Sequence, residues 1–294
     1  ADTAALPAFH CASLGLDGAP MRELLRAMLS SFDADPVQPA AVTRLAQVCW
    51  SCAELRAHPR VALRLAGQVA QVSRDATEQT SSVLGSGTPG SDEALTWIRL
   101  AWAVLALDGP DGDVRSLLGI VADAGDASVK PNFCLVDVHP AQQLAWHSQQ
   151  QHGVVAGRWA EALIGKSRAQ QAPGGRPPLS SVERQVSGLL QHMRVPHVAA
   201  SPAAVPGGIY KVSIWFPEPK AVLDIDKEED RLASGKLGGV ANLRRKQFGS
   251  VGLRVHTMDV LAFQGMQRSQ RLRTLAEAVS ESCPEAAAWL EKPG

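Results

Sequence analysis

The sequence lacks a long apolar run, is poor in aromatic side chains and has no excess of charge of either sign. Its apolar stretches fall short of the ~18 consecutive residues that a membrane-spanning helix needs, so we expect no membrane partner. One Tyr and six Phe leave little surface for stacking bases. Lys and Arg total 29, as do Asp and Glu, which excludes a protein held on nucleic acid by overall positive charge. Any RNA binding must therefore be local.

Cysteine is scarce and irregularly spaced. The five cysteines are scattered along 294 residues, and their odd number argues for reduced thiols rather than a disulfide framework. Cys49 and Cys52 have the spacing of a redox pair or half of a zinc site, but they fall inside a helical pattern and no second such pair exists. We interpret them as helix packing, and we expect an intracellular protein without a metal or a cofactor.

What the sequence does contain is helical periodicity over residues 1–172. Six segments place apolar residues three and four positions apart, as amphipathic helices do. They span residues 21–32, 42–55, 60–74, 93–107, 114–124 and 141–151. Trp50, Trp102 and Trp146 each follow an aliphatic and a small residue, which is a faint repeat. We interpret them as packing between stacked helical hairpins; the alternative is a surface on which bases stack.

Residues 173–179 belong to a Gly- and Pro-rich stretch that predicts a linker, and the periodicity changes after it. Over residues 180–294 the pattern predicts a small α/β domain with the order helix, hairpin, helix, strand, helix. The predicted elements are a helix at 180–193 capped by Ser180 or Ser181, strands at 210–216, 220–226 and 252–258, and a basic helix at 240–252. The fold class is therefore α plus α/β.

This order of elements, from residue 180 to about 280, resembles the RAP domain, a module found at the C terminus of organellar RNA-binding proteins. The segments that carry the resemblance are SSVERQVSGLLQHM, YKVSIWFPEPKAVLDID and LRRKQFGSVGLRVHTMDVL. The helical region before them is similar to the degenerate repeats of FAST-kinase-domain-like, octotricopeptide and heptatricopeptide proteins. The resemblance implies a mitochondrial location, with a plastid as the alternative. It also implies ribosomal RNA or an organellar transcript as a partner, and proteins of a large complex such as the mitochondrial ribosome.

The RAP domain is in turn similar to nucleases of the restriction-endonuclease-like fold. Those enzymes hold a divalent metal with an acidic residue on one strand and an acidic-x-Lys pair on the next. The resemblance aligns these positions with Ser213, Asp224 and Asp226. A serine stands where the first carboxylate would be, and Asp226 stands where the lysine would be. We therefore expect a degenerate site with no metal and no catalysis, although the two aspartates leave residual nuclease activity as an alternative.

A basic cluster is the strongest chemical feature of this region. Its members are Arg231, Lys236, Arg244, Arg245, Lys246 and Arg254. In the first interpretation they contact RNA phosphates. In the second they form an ordinary helix face, and Arg244, Arg245 or Lys246 neutralises the aspartates of the preceding strand.

Two functions follow from these observations. The first is a non-catalytic organellar RNA-binding protein that stabilises RNA or associates with the ribosome. The second is a structural subunit of a large organellar assembly that makes mainly protein contacts. A metal-dependent nuclease is a third and less supported alternative.

Overall fold

The computed structural model describes residues 4–34, 41–79, 91–125, 135–152, 179–201, 210 and 212–282. In this part of the chain no helix combines the length and the apolar character that a bilayer crossing requires. The predicted linker at 173–179 lies outside the described residues except for its last position.

The contacts within the chain form two compact units. The helical unit comprises Ala1–Gly165 and Arg231–Leu243, and the sheet unit comprises Lys166–Asp230 and Arg244–Gly294. Arg231–Leu243, which the sequence analysis included in the C-terminal domain, therefore groups with the N-terminal helices.

Seven helices make up the described part of the helical unit before residue 153. They are α1 (Ala5–Ser13), α2 (Ala19–Ala34), α3 (Val42–Glu54), α4 (Pro59–Gln79), α5 (Ser91–Ala106), α6 (Asp111–Gly125) and α7 (Leu135–His152). All six predicted helices form, whereas α1 was not predicted. The odd-numbered helices pack on one another in one layer and the even-numbered helices in a second, so that successive hairpins stack.

The three tryptophans lie in the core of the helical unit. Trp50, Trp102 and Trp146 are at most 2% exposed and belong to α3, α5 and α7, which are neighbours in the odd layer. The ring centroids of Trp50 and Trp102 are 5.6 Å apart, and Phe9 of α1 lies 4.7 Å from Trp50. Trp102 Nε1 donates a hydrogen bond to Gln143 Oε1 at 2.8 Å. The packing interpretation is therefore confirmed, because these rings are not accessible to bases.

Cys49 and Cys52 are also part of this core. Both are fully buried on α3, and Cys49 Sγ lies 3.7 Å from the carbonyl oxygen of Ala62. Burial raises the pKa of the Cys52 thiol to about 12, so this thiol is not ionised at neutral pH. The prediction that the pair serves helix packing is confirmed.

Arg231–Leu243 is fastened to the helical unit at two places. The first is Asp17, a buried residue after α1. Its carboxylate accepts hydrogen bonds from the N–H of Ser234 at 2.9 Å and from the Ser234 hydroxyl, and Arg22 Nη2 lies 3.3 Å away.

The second place is the end of α3, which Gly239 approaches closely. A Cβ atom at Gly239 would lie 2.4 Å from the carbonyl oxygen of Ala53, so only glycine fits there. Next to it, the N–H of Val240 donates to Glu54 Oε2 at 3.1 Å, and Gln143 Nε2 donates to the carbonyl oxygen of Val240 at 2.8 Å.

Replacing Asp17 with asparagine should destabilise the helical unit by about 1–3 kcal/mol, because the amide keeps only one acceptor oxygen for Ser234 and loses the charge that pairs with Arg22. Burial by itself would raise the pKa of Asp17, but the hydrogen bonds from Ser234 and the charge of Arg22 outweigh it and lower the pKa. A lowered pKa contributes stability above the unfolded-state value of about 3.9, and this contribution is lost as the pH falls through the folded-state value.

Urea unfolding of both proteins at about pH 7 and about pH 3 measures this difference. The wild-type advantage over Asp17→Asn should be clear at neutral pH and smaller in acid. Asp33→Asn, which removes an exposed partner of Arg64, is the control and should have less effect. An advantage of the same size at both pH values would contradict the prediction.

The sheet unit contains one described sheet of four strands in the order β1-β2-β3-β4. They are β1 (Val198–Ser201), β2 (Val212–Phe216), β3 (Ala221–Asp226) and β4 (Arg254–Asp259). β1 pairs with β2 and β2 with β3 in antiparallel fashion, and β3 pairs with β4 in parallel. The predicted strands form with bounds shifted by at most two residues, whereas β1 was not predicted.

Four helices accompany these strands in the described residues. They are α8 (Ser181–His192), α9 (Gly239–Ser250), α10 (Val260–Gly265) and α11 (Arg268–Ser282). The division between the two units falls inside α9, after Leu243. Ser180, one of the two predicted caps, caps α8 and forms a capping box with Glu183. The helices together with this small mixed sheet confirm the α plus α/β class.

Candidate functional site

Strand β3 divides its side chains between the two faces of the sheet. Leu223 and Ile225 belong to the core that the sheet forms with α8 and α11. Because side chains alternate along a strand, Asp224 and Asp226 point to the opposite face. They are only 3% and 4% exposed, and buried carboxylates require compensating charge.

Two consecutive arginines of α9 supply this charge. Arg244 Nη2 lies 3.1 Å from Asp224 Oδ2, and Arg245 Nε lies 3.3 Å from the same oxygen. Arg245 also donates a hydrogen bond through Nη2 to Asp226 Oδ1. Each arginine side chain is 18% exposed, so the ion pairs are shielded from solvent.

A third carboxylate joins the arginines from the 3-10 turn Glu228–Asp230, just after β3. Arg244 binds both oxygens of Asp230, with Nη1 to Oδ1 at 3.0 Å and Nη2 to Oδ2 at 3.1 Å. The turn aims Asp230 inward, because its Oδ2 also accepts the N–H of Lys227 at 3.1 Å. This role of Asp230 was not predicted from the sequence. We name these residues the Asp–Arg cluster: Asp224, Asp226, Asp230, Arg244 and Arg245.

The Asp–Arg cluster has three carboxylates and two guanidiniums, so its formal charge is negative. Burial would lower the pKa of Arg244, but the charges of Asp224 and Asp230 and their hydrogen bonds raise it above the ordinary value. Arg244 therefore stays protonated. The second interpretation of the basic residues thus describes Arg244 and Arg245, which neutralise buried aspartates. The charge of these two guanidiniums is therefore directed at carboxylates of the same unit.

The positions aligned with a nuclease do not fit a divalent cation. Continuing the β2–β3 register by one pair places Ser213 opposite Asp224, and the serine is buried and uncharged. One oxygen of each aspartate, Asp224 Oδ2 and Asp226 Oδ1, is bonded to a guanidinium group. Within the described residues, no group of three or more His, Cys, Asp and Glu side chains is placed to hold a metal ion.

The other predicted RNA-binding residues are shared between the two units, with Arg231 and Lys236 in the helical unit and Lys246 and Arg254 in the sheet unit. Arg231 Nη1 donates to a backbone carbonyl oxygen at 2.7 Å, Lys236 is exposed and Lys246 is half-buried. Arg254 is exposed at the start of β4, and its N–H donates to the carbonyl oxygen of Lys220 at 3.0 Å. Lys220 was not predicted as a site residue. It lies beside Arg254 because the parallel strands β3 and β4 begin at the same end of the sheet.

Comparison with known proteins assigns no family to this arrangement. No protein-family model matches the chain, and no curated protein matches it in sequence. The resemblance to RAP domains therefore rests on the three quoted segments and on the order of the elements that they form.

Proposed function

We propose that this protein is a non-catalytic RNA-binding factor of mitochondria, or alternatively of plastids, that binds ribosomal RNA or a transcript and stabilises it. The Asp–Arg cluster is the observation that carries the proposal. It includes the strand positions that the resemblance aligns with the metal ligands of a nuclease, and its carboxylates are bonded to arginines. If the resemblance holds, carboxylates paired with arginines at these positions support nucleic-acid binding without cleavage.

The basic edge formed by Lys220 and Arg254 is the part of the sheet unit that we propose contacts phosphates. Both side chains are exposed, and the backbone hydrogen bond between the two residues fixes them next to each other. Two cations held side by side match consecutive phosphates of a single strand better than isolated surface charges do. Lys246, which is half-buried on α9, is a further candidate.

Fluorescence anisotropy with a 3′-labelled single-stranded RNA that carries a 5′-hydroxyl tests this proposal. We expect affinity to fall as salt is raised from about 50 to about 200 mM, and the double variant Lys220→Gln/Arg254→Gln should flatten the log–log slope by up to about 1.4. The control Arg184→Gln/Arg273→Gln removes two exposed charges from α8 and α11 and should leave the slope unchanged. Absence of RNA binding, or the same slope in both double variants, would contradict the proposal.

The same RNA should remain intact after incubation with Mg²⁺ or Mn²⁺. Cleavage that depends on the metal and is lost in Asp224→Asn would show that the carboxylates act as ligands after all.

The second candidate function, a structural subunit of a large organellar assembly, is favoured by one surface observation. Leu6, Leu14 and Leu16, in and directly after α1, are 52%, 75% and 47% exposed. Exposed apolar side chains close together in sequence are typical of surfaces that another protein covers. If RNA binding fails and the protein co-purifies with a large complex that Leu6→Ser/Leu14→Ser weakens, this function replaces the first.

A further inference from the structure

The helical unit contains a cavity of about 480 Å³ that the proposed function does not use. Leu55, Leu232 and Leu237 form much of its apolar wall. Binding sites for small ligands and cofactors commonly measure about 300–1,000 Å³ and combine apolar walls with a few polar groups. The cavity is therefore of a size that suits a ligand such as a mononucleotide.

The charged side chains that line this cavity are mainly positive. They comprise Arg22, Arg56 and Lys236 against the single carboxylate of Asp108. Arg22 shares its charge with Asp17, at 3.3 Å. Within the described part of the chain, neither Arg56 nor Lys236 forms an ion pair, and both side chains are exposed. These two cations are therefore available to an anion.

The backbone fixes the positions from which Arg56 and Lys236 extend. Arg56 has a φ of 50° just after α3, and the N–H of Ala57 closes this helix end by donating to the Cys52 carbonyl oxygen at 2.8 Å. The carbonyl oxygen of Lys236 accepts the N–H of Leu232 at 2.7 Å. A cation on a fixed backbone loses less entropy when it binds a ligand.

The backbone of α3 also sets a limit on affinity. The last carbonyl groups of a helix carry partial negative charge, which offsets part of the positive charge of Arg56. We therefore expect micromolar to millimolar dissociation constants rather than nanomolar ones.

We propose that this cavity binds a nucleotide through its phosphate monoester, with the phosphate against Arg56 and Lys236 and the base against the leucine wall. A free nucleotide and the 5′-phosphorylated end of an RNA both offer this chemistry. The inference does not rest on the proposed function, because the basic edge of the sheet unit binds internal phosphates and requires no terminal monoester.

Isothermal titration calorimetry on the full chain tests this inference with AMP, GMP, the corresponding nucleosides, and a short RNA with either a 5′-phosphate or a 5′-hydroxyl. We expect AMP or GMP to bind and the nucleosides to bind at least about tenfold more weakly, as the loss of a charge-assisted contact implies. Arg56→Gln and Lys236→Gln should each weaken nucleotide binding by a similar factor. The matched control Arg60→Gln removes an exposed arginine that does not line the cavity and should bind as the wild type does.

The comparison of the two RNAs identifies the source of the phosphate. If the 5′-phosphorylated RNA binds more tightly than AMP or GMP and the 5′-hydroxyl form loses this advantage, the cavity receives an RNA end; otherwise it receives a free nucleotide. Melting curves of the variants should match the wild type, because the replaced side chains are exposed.

Three results would overturn the inference. They are no saturable binding of any phosphorylated probe at millimolar concentration, equal affinity for nucleosides and nucleotides, and unchanged affinity in both Arg56→Gln and Lys236→Gln. Failure of the proposed function gives a different result: the 5′-hydroxyl RNA does not bind.

Discussion

Replacing Arg245 with alanine should lower the free energy of unfolding of the sheet unit by about 3–5 kcal/mol, because it removes a guanidinium that pairs with two buried carboxylates. Arg245 is the arginine that pairs with Asp226, and it shares Asp224 with Arg244. Urea unfolding followed by tryptophan fluorescence, to which Trp215 on β2 contributes, measures the change.

The control for Arg245→Ala is Arg273→Ala. Arg273 also pairs with an acidic residue, Glu277, but its side chain is 77% exposed and the pair is screened by solvent, so we expect a change of less than about 1 kcal/mol. The double variant Asp226→Ala/Arg245→Ala should cost less than the sum of its two single variants, because it removes both members of a buried pair. Equal effects of Arg245→Ala and Arg273→Ala would show that the Asp–Arg cluster contributes no more than a surface pair.

Replacing Trp102 with alanine should destabilise the helical unit by about 3–5 kcal/mol, as a large cavity in a core does. Trp102 is fully buried between Trp50 and the layer neighbour α7, and the substitution also removes the donor to Gln143. For a unit of this size, such a loss corresponds to a melting temperature lower by roughly 6–20 °C. Differential scanning calorimetry of the full chain measures it.

Trp97→Ala is the matched control on the same helix, since Trp97 is only half-buried. Its effect should be clearly smaller, because less apolar area returns to water and less of a cavity forms. Equal melting temperatures of the two variants would contradict the prediction that Trp102 contributes more to the core than Trp97 does.

Local signals explain most of what the sequence predicted. Apolar spacing identified six helices, and Ser180 was one of two predicted caps of α8, which the structure confirms. Strands β2 and β3 followed from β-branched and aromatic runs separated by Pro217 and Pro219. Each of these signals arises within a few residues, so it does not depend on the rest of the fold.

The missed features depend on contacts between distant residues or on weak local patterns. Helix α1 is rich in alanine and β1 has only four residues, so neither gives a clear period. The pairing of Asp224 with Arg244 spans 20 positions, and sequence alone could equally assign the arginine to a phosphate. The structure shows the pairing because α9 places two consecutive arginines beside the buried aspartates of β3.

The position of Arg231–Leu243 within the helical unit affects the order in which the protein can fold during synthesis. The ribosome produces three strands of the sheet unit before it reaches Ser234, which is 217 positions after its partner Asp17. Until then the nascent helices lack the two donors of Ser234 to Asp17 and the contacts at the end of α3, so their final packing is delayed. A gene fragment that stops at the predicted linker would encode an incomplete helical unit, and the complementary fragment would carry the missing piece.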